Sequence, residues 1–134
     1  MGSMAFSTGL AGAMGNAITD WFPSHTPLAY TALFTGFAIL LSETTSNTAA
    51  ASMVVPIAIA ASLAAGIRPI EPALGATLGA SVGFMLPIST PPNAIVYSSG
   101  LVPITSMIKY GFLLDVIGFV VVVAVVSILG PLVF

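Results

Sequence analysis

Two short polar runs interrupt an otherwise apolar chain, and they hold most of the residues able to do chemistry. The first is Ser42-Glu43-Thr44-Thr45-Ser46-Asn47-Thr48. It has no basic residue, and Ser46, Asn47 and Thr48 supply neutral oxygens and donors that suit a hard cation and a carboxylate together. The second is Pro87-Ile88-Ser89-Thr90-Pro91-Pro92-Asn93. Proline lacks a backbone donor and clashes one turn back, so a helix must break there. The break exposes carbonyls at the end of its first half, which can coordinate a cation. It also presents free amides at the start of its second half, near Asn93, and aims the positive end of a helix dipole at an anion. No strong carboxylate cluster exists, so a divalent-metal site is not expected.

Each run also has a plainer reading. The first works as a surface loop, where Ser, Thr and Asn favour turns and Glu43 sits in water. The second works as a kinked helix or a short external loop. The alternative for the first is a re-entrant hairpin whose tip lies at membrane depth, which is tolerated only inside protein or beside a wet cavity. Its direct passage into Ala49-Ala50-Ala51-Ser52, small residues suited to tight packing, leans that way. A hairpin tip paired with a broken helix is the general form of a secondary-transporter site.

The elements that must position these runs follow from composition. Only Asp20, Glu43, Arg68, Glu71, Lys109 and Asp115 are charged among 134 residues, and 57% of the chain is hydrophobic. That leaves too little polar surface to cover a globule in water, which excludes a soluble enzyme. A nucleic-acid binder needs a basic face that is missing here, and disorder is excluded by the same numbers. There is no cysteine, hence no disulfide or thiolate metal site. Long unbroken apolar runs, rather than alternation, point to an all-α integral membrane protein.

Residues 1–3 read as an expression-tag scar ahead of a native Met4, leaving 4–134 as a single membrane transport repeat with no internal repeat of its own. A spanning helix is expected over 4–22, with Gly9, Gly12 and Gly15 forming a small face and Trp21 and Phe22 at an interface. The hairpin covers 28–65. A charge-free stretch over 72–100 would be about 42 Å long as one helix, exceeding the roughly 30 Å hydrocarbon core, and is read as a broken helix. A final spanning helix covers 105–132. Gly75, Gly79 and Gly83 fall at four-residue spacing, a stripe for close helix packing. Tyr97 and Tyr110 read as ordinary interfacial or cavity-lining residues, and His25 as a solvated linker residue. Asp115, an acid inside the last apolar segment, is a functional candidate by default. It is only a few residues from the interface, however, and is expected to reach headgroups or water. A deep Glu43 would need a partner or a proton, as packing polarity or part of the ion path.

The two runs, extended to Ser42–Ala49 and to Phe84-Met85-Leu86-Pro87-Ile88-Ser89-Thr90-Pro91-Pro92-Asn93-Ala94-Ile95-Val96, closely resemble the divalent-anion/sodium symporter (DASS) family. The similarity runs from Phe6 onward. These carriers have two inverted repeats, each with its own Ser-Asn-Thr hairpin and Thr-Pro-Pro broken helix, and this chain resembles the C-terminal repeat. The resemblance implies a small dicarboxylate such as succinate, or another dianion, as substrate, with Na+ as coupling ion and no organic cofactor. It implies substrate contacts from Ser46, Asn47, Thr48, Thr90, Pro91 and Asn93. It implies a sodium site around Ser42, Ser46, Asn47, Ser89, Thr90 and Pro91.

The missing N-terminal repeat is the main departure, since it would supply the other half of the substrate site. The expected partners are therefore a second copy in antiparallel orientation or a separate N-terminal repeat, in a bacterial or archaeal cell membrane. The rival expectation is a non-transporting membrane fragment or subunit that folds but needs a separate half. The Pro23–Pro27 linker and the Arg68 turn are expected on one side of the membrane and Lys109 on the other. The resemblance places Lys109 in the cytoplasm.

Overall fold

The structure, a computed structural model, describes residues 9–22 and 26–133. The expected scar at 1–3, the first turns of the first helix and the His25 linker residue lie outside the described residues. The described residues form six helices: α1 (Leu10–Trp21), α2 (Pro27–Thr44), α3 (Asn47–Ala64), α4 (Ile70–Gly79), α5 (Pro91–Ser98) and α6 (Ile104–Val133). Two of them, α3 and α6, are long and apolar enough to cross a membrane.

Local chemistry sets the helix starts. Thr26 caps α2, its hydroxyl accepting the Ala29 amide at 3.3 Å, and Pro27 follows in the first turn, where its missing N–H costs nothing. Ser46 caps α3 by accepting the Ala49 amide at 3.2 Å. Thr90 caps α5 by accepting the Asn93 amide at 3.4 Å, ahead of Pro91 and Pro92. Between α4 and α5, residues 80–90 form turns and irregular chain.

Helices α2 and α3 form a hairpin, turned by Thr45 and Ser46. Each has 18 residues, a rise of about 27 Å. The start of α2 and the chain just after α3 lie together, since Pro27, Leu28 and Arg68 line one cavity. The core uses one face of each helix: Tyr30, Phe34 and Ala38 from α2, Ala50, Val54, Ala58 and Ala61 from α3, Ala76 from α4 and Ala80 just after it. So many alanines let backbones approach closely, as helix contacts in lipid require.

The glycine stripe works the same way. A Cβ on Gly75 would stand 2.5 Å from Thr35 Oγ1, and one on Gly79 would stand 2.8 Å from the Thr35 carbonyl, so α4 lies directly on α2. In α1, Gly15 makes such an approach against the Ala60–Ala61 backbone of α3. Among the described residues nothing lies within 4 Å of a Cβ added at Gly12, or at Gly9 just before the helix. Helix α6 buries Gly111, Asp115, Val126 and Gly130, a narrow face at helical spacing. The rest of α6, from Phe112 to Val133, exposes a continuous apolar surface that suits lipid or protein rather than water.

Candidate ion and substrate site

The hairpin tip and the helix break meet. Ser42 is fully buried in the last turn of α2, and its hydroxyl donates to Asn47 Oδ1 at 2.9 Å. On its other side is the Gly83 backbone; a Cβ at Gly83 would stand 2.6 Å from Ser42 Oγ. The glycine is what lets the break reach the tip. Next in sequence, Glu43 turns its carboxylate onto the break, Oε1 accepting the Met85 amide at 3.0 Å and Oε2 the Leu86 amide at 2.9 Å.

The break is held from within as well. The buried Ser89 hydroxyl lies 3.0 Å from the Gly83 carbonyl and 2.8 Å from the Leu86 carbonyl. The Asn93 side-chain amide donates to the same Gly83 and Leu86 carbonyls, at 3.4 and 3.1 Å, and to Ser89 Oγ at 3.1 Å. The Thr90 carbonyl accepts the Ala94 amide at 3.1 Å. From the far side, Asp115 Oδ1 accepts the Phe84 amide at 3.2 Å.

Of the residues singled out from sequence, Ser42, Asn47, Ser89 and Asn93 are thus joined in one chain of contacts through Gly83. Two neutral oxygens, Ser42 Oγ and Asn47 Oδ1, stand side by side beside the break, a donor set suited to a weakly held hard cation. Among the described residues no hydrogen bond uses Asn47 Nδ2. Ser46 and Thr48 are exposed at the tip and line an open hollow of about 330 Å³ with Ala49, Ser52 and Met53. Thr90 is half-buried and Pro91 exposed on α5, which buries no residue at all. No hydrogen bond joins Ser46 or Thr48 to Thr90 or Pro91 among the described residues.

Asp115 differs from expectation. It is 5% exposed and faces the break, not headgroups. The reason is the turn of α6: Gly111, one turn earlier, packs directly on the Phe84–Met85 backbone and brings the carboxylate with it. Gly83 was also readable only as the third member of a packing stripe. Its close contact with Ser42 has no sequence signal beyond the absence of a side chain. Tyr97 and Tyr110 are exposed, and Lys109 stands over the Tyr110 ring at 5.8 Å.

The family model for the sodium:sulfate symporter transmembrane region matches residues 1–134. The chain belongs to this family. Members of the sodium:sulfate symporter family are membrane transporters, not enzymes. The chain is similar to the sodium-dependent dicarboxylate transporter SdcS of Staphylococcus saprophyticus, 36% identical over 136 residues, covering 94% of this chain and 26% of that protein. An uncharacterized transporter of Haemophilus influenzae is 49% identical over 90 residues, covering 67% of this chain and 20% of that protein. SdcS of Staphylococcus aureus strain MRSA252 is 39% identical over 92 residues, covering 69% of this chain and 18% of that protein. The chain therefore spans about a quarter or less of the length of these symporter-family relatives.

Proposed function

We propose that this chain carries half of a sodium-coupled site for a small divalent anion, a dicarboxylate such as succinate, and transports it together with a second repeat. The observation that carries the reading is the joint between the hairpin tip and the helix break, made by Ser42 on Gly83 and Glu43 on Met85 and Leu86. Relatives named as sodium-dependent dicarboxylate transporters support the substrate and the ion.

In this reading Ser42, Ser46 and Asn47, with the backbone around Ser89, Thr90 and Pro91, surround one sodium. Asn47 and Thr48 take a substrate carboxylate at the tip, and Thr90, Pro91 and Asn93 turn the start of α5 toward it. Sodium orders the tip and adds a positive charge to it, so the anion binds after or with the cation. The α2–α3 hairpin is re-entrant, entering and leaving on the Arg68 side. Transport moves the hairpin and break against other helices, in a bacterial or archaeal cell membrane.

A second repeat completes the site. Arg68 lies beside Pro131, at the end of α6 opposite to Lys109. The basic residues therefore give little bias between sides, which favours a second copy inserted the other way round over a separate N-terminal half.

The deciding experiment is substrate-dependent thermal stabilisation of the purified protein. Succinate in sodium buffer is expected to raise the unfolding temperature of the parent chain, and Asn47→Ala and Thr48→Ala to abolish that rise while remaining helical. An unchanged succinate response in both variants removes the tip from the anion site.

A further inference from the structure

A separate cavity lies where α2 and α4 begin and α6 ends. It encloses about 340 Å³ and is lined by Thr31, Arg68, Glu71, Ser127 and Pro131, with Pro27 and Leu28. None of the residues placed at the tip or the break borders it. Thr31 is fully buried and Glu71 is 4% exposed. Three of the oxygens in its lining, Thr31 Oγ1, Glu71 Oε2 and Ser127 Oγ, are buried and have no hydrogen-bond partner among the described residues. Buried polar atoms are nearly always satisfied, so three around one cavity mark a place for a bound ion or water.

Helix α6 is shaped for this carboxylate. A Cβ on Gly130 would stand 2.7 Å from Glu71 Cγ, so only a glycine leaves room. Pro131 lies inside the helix. Having no N–H, it leaves the carbonyl of Ser127, one turn earlier, without its usual helical donor.

The lining decides the ligand class. An anion would meet the Glu71 carboxylate, and the negative end of the α6 dipole stands against the positive starts of α2 and α4. A divalent ion wants several carboxylates, and there is one. Arg68 does not fill the site: its Nη1 is 3.7 Å from Glu71 Oε1, beyond hydrogen-bond length, and its side chain is 48% exposed at the rim. It partly balances Oε1 and leaves Oε2 open.

We propose that Glu71, Thr31 and Ser127 form a binding site for a small hard monovalent cation, sodium above all, distinct from the hairpin tip and the break. One carboxylate and two hydroxyls supply its oxygens, and Arg68 guards the mouth. The site does not depend on the transport reading above.

The test is radioactive sodium binding to the purified chain in lipid nanodiscs, in choline chloride buffer, with helical circular dichroism as the folding control. Glu71→Gln and Ser127→Ala are each expected to weaken one class of sodium binding by about tenfold or more. In an Asn47→Ala background that class is expected to persist and still to respond to Glu71→Gln. If Asn47→Ala changes no sodium binding while Glu71→Gln does, the cavity site stands and the tip assignment falls. If the Asn47→Ala protein binds no sodium, or binds it equally with and without Glu71→Gln, the cavity holds water alone and the proposal is overturned. Should Glu71→Gln fail to fold, Ser127→Ala and Thr31→Val decide in the same way.

Discussion

Glu43 receives the Leu86 amide on Oε2 at 2.9 Å, and its other oxygen takes the adjoining Met85 amide at 3.0 Å. Asp115 takes the Phe84 amide before them at 3.2 Å. Three successive N–H groups in non-helical chain are therefore satisfied by side chains from α2 and α6. In the proposed reading the break lies at membrane depth, where backbone amides must be satisfied within the protein, so an acid at each of these two positions has a structural reason independent of any titration.

Removing the clamp is expected to destabilise the fold. Glu43→Ala leaves two part-buried amides without these acceptors, a cost of about 2–6 kcal/mol at about 1–3 kcal/mol for each unsatisfied group. Glu43→Gln keeps one acceptor oxygen and is expected to lose about half as much. The measurement is the midpoint of thermal unfolding in detergent, and a Glu43→Ala midpoint equal to the parent's would show that the amides find other partners.

Gly83→Ala separates binding from folding. An added methyl meets Ser42 Oγ at 2.6 Å, which pushes that hydroxyl off Asn47 and moves the tip from the break. Sodium-dependent succinate stabilisation is expected to disappear, with an overpacking cost of about 1–3 kcal/mol in stability. Parent-like succinate stabilisation in this variant would mean that the tip and the break bind independently.

Glycine position, rather than glycine number, is expected to govern helix contacts. Gly75→Ala and Gly79→Ala drive a methyl into Thr35 and are expected to cost about 1–3 kcal/mol each. Gly12 has nothing within 4 Å of an added Cβ, so Gly12→Ala is expected to be neutral or to stabilise by up to about 1 kcal/mol through helix propensity. Unfolding midpoints in the same detergent rank the three, and equal shifts would contradict the close α2–α4 approach.

Cation selectivity tests the coupling. A site of hydroxyl, amide and carbonyl oxygens selects by size, so sodium is expected to promote succinate stabilisation while potassium and choline do not. Equal responses in the three salts would separate Ser42 and Asn47 from any coupling role.

Orientation is accessible because the chain has no cysteine of its own. Cysteines placed singly at Ser24 and Ser106 are expected to label from both sides of the membrane if copies insert in both directions. Labelling of each position from one side alone would leave a separate N-terminal half as the source of the second repeat.

Much of this arrangement is written in the sequence at the level of elements. Ser46 and Thr90, each three residues before the amide it caps, announce the starts of α3 and α5, and the prolines at 91 and 92 announce the break. Pairings across the chain are another matter. Nothing near Glu43 says that its partners are the backbone at Met85 and Leu86, because an amide looks alike in every residue. Asp115 misled through its closeness to the chain's polar margin; only the packing of Gly111 on Phe84 turns it inward. The cavity at Glu71 depends on three helix ends meeting, which no local pattern encodes.

The clamp on residues 84–86 also fixes which parts can shift against which. Glu43 comes from the hairpin and Asp115 from α6, and both grip the same stretch of chain. Sliding α6 past the hairpin would break the bond to Phe84 or those to Met85 and Leu86 and leave amides without these acceptors. In the proposed transport reading, a stroke that leaves that grip whole carries α6 along with the hairpin and the break. In that reading the slip plane lies on the outer side of α6, along its broad apolar flank, where smooth hydrocarbon contacts let one body glide past another with no bond to break.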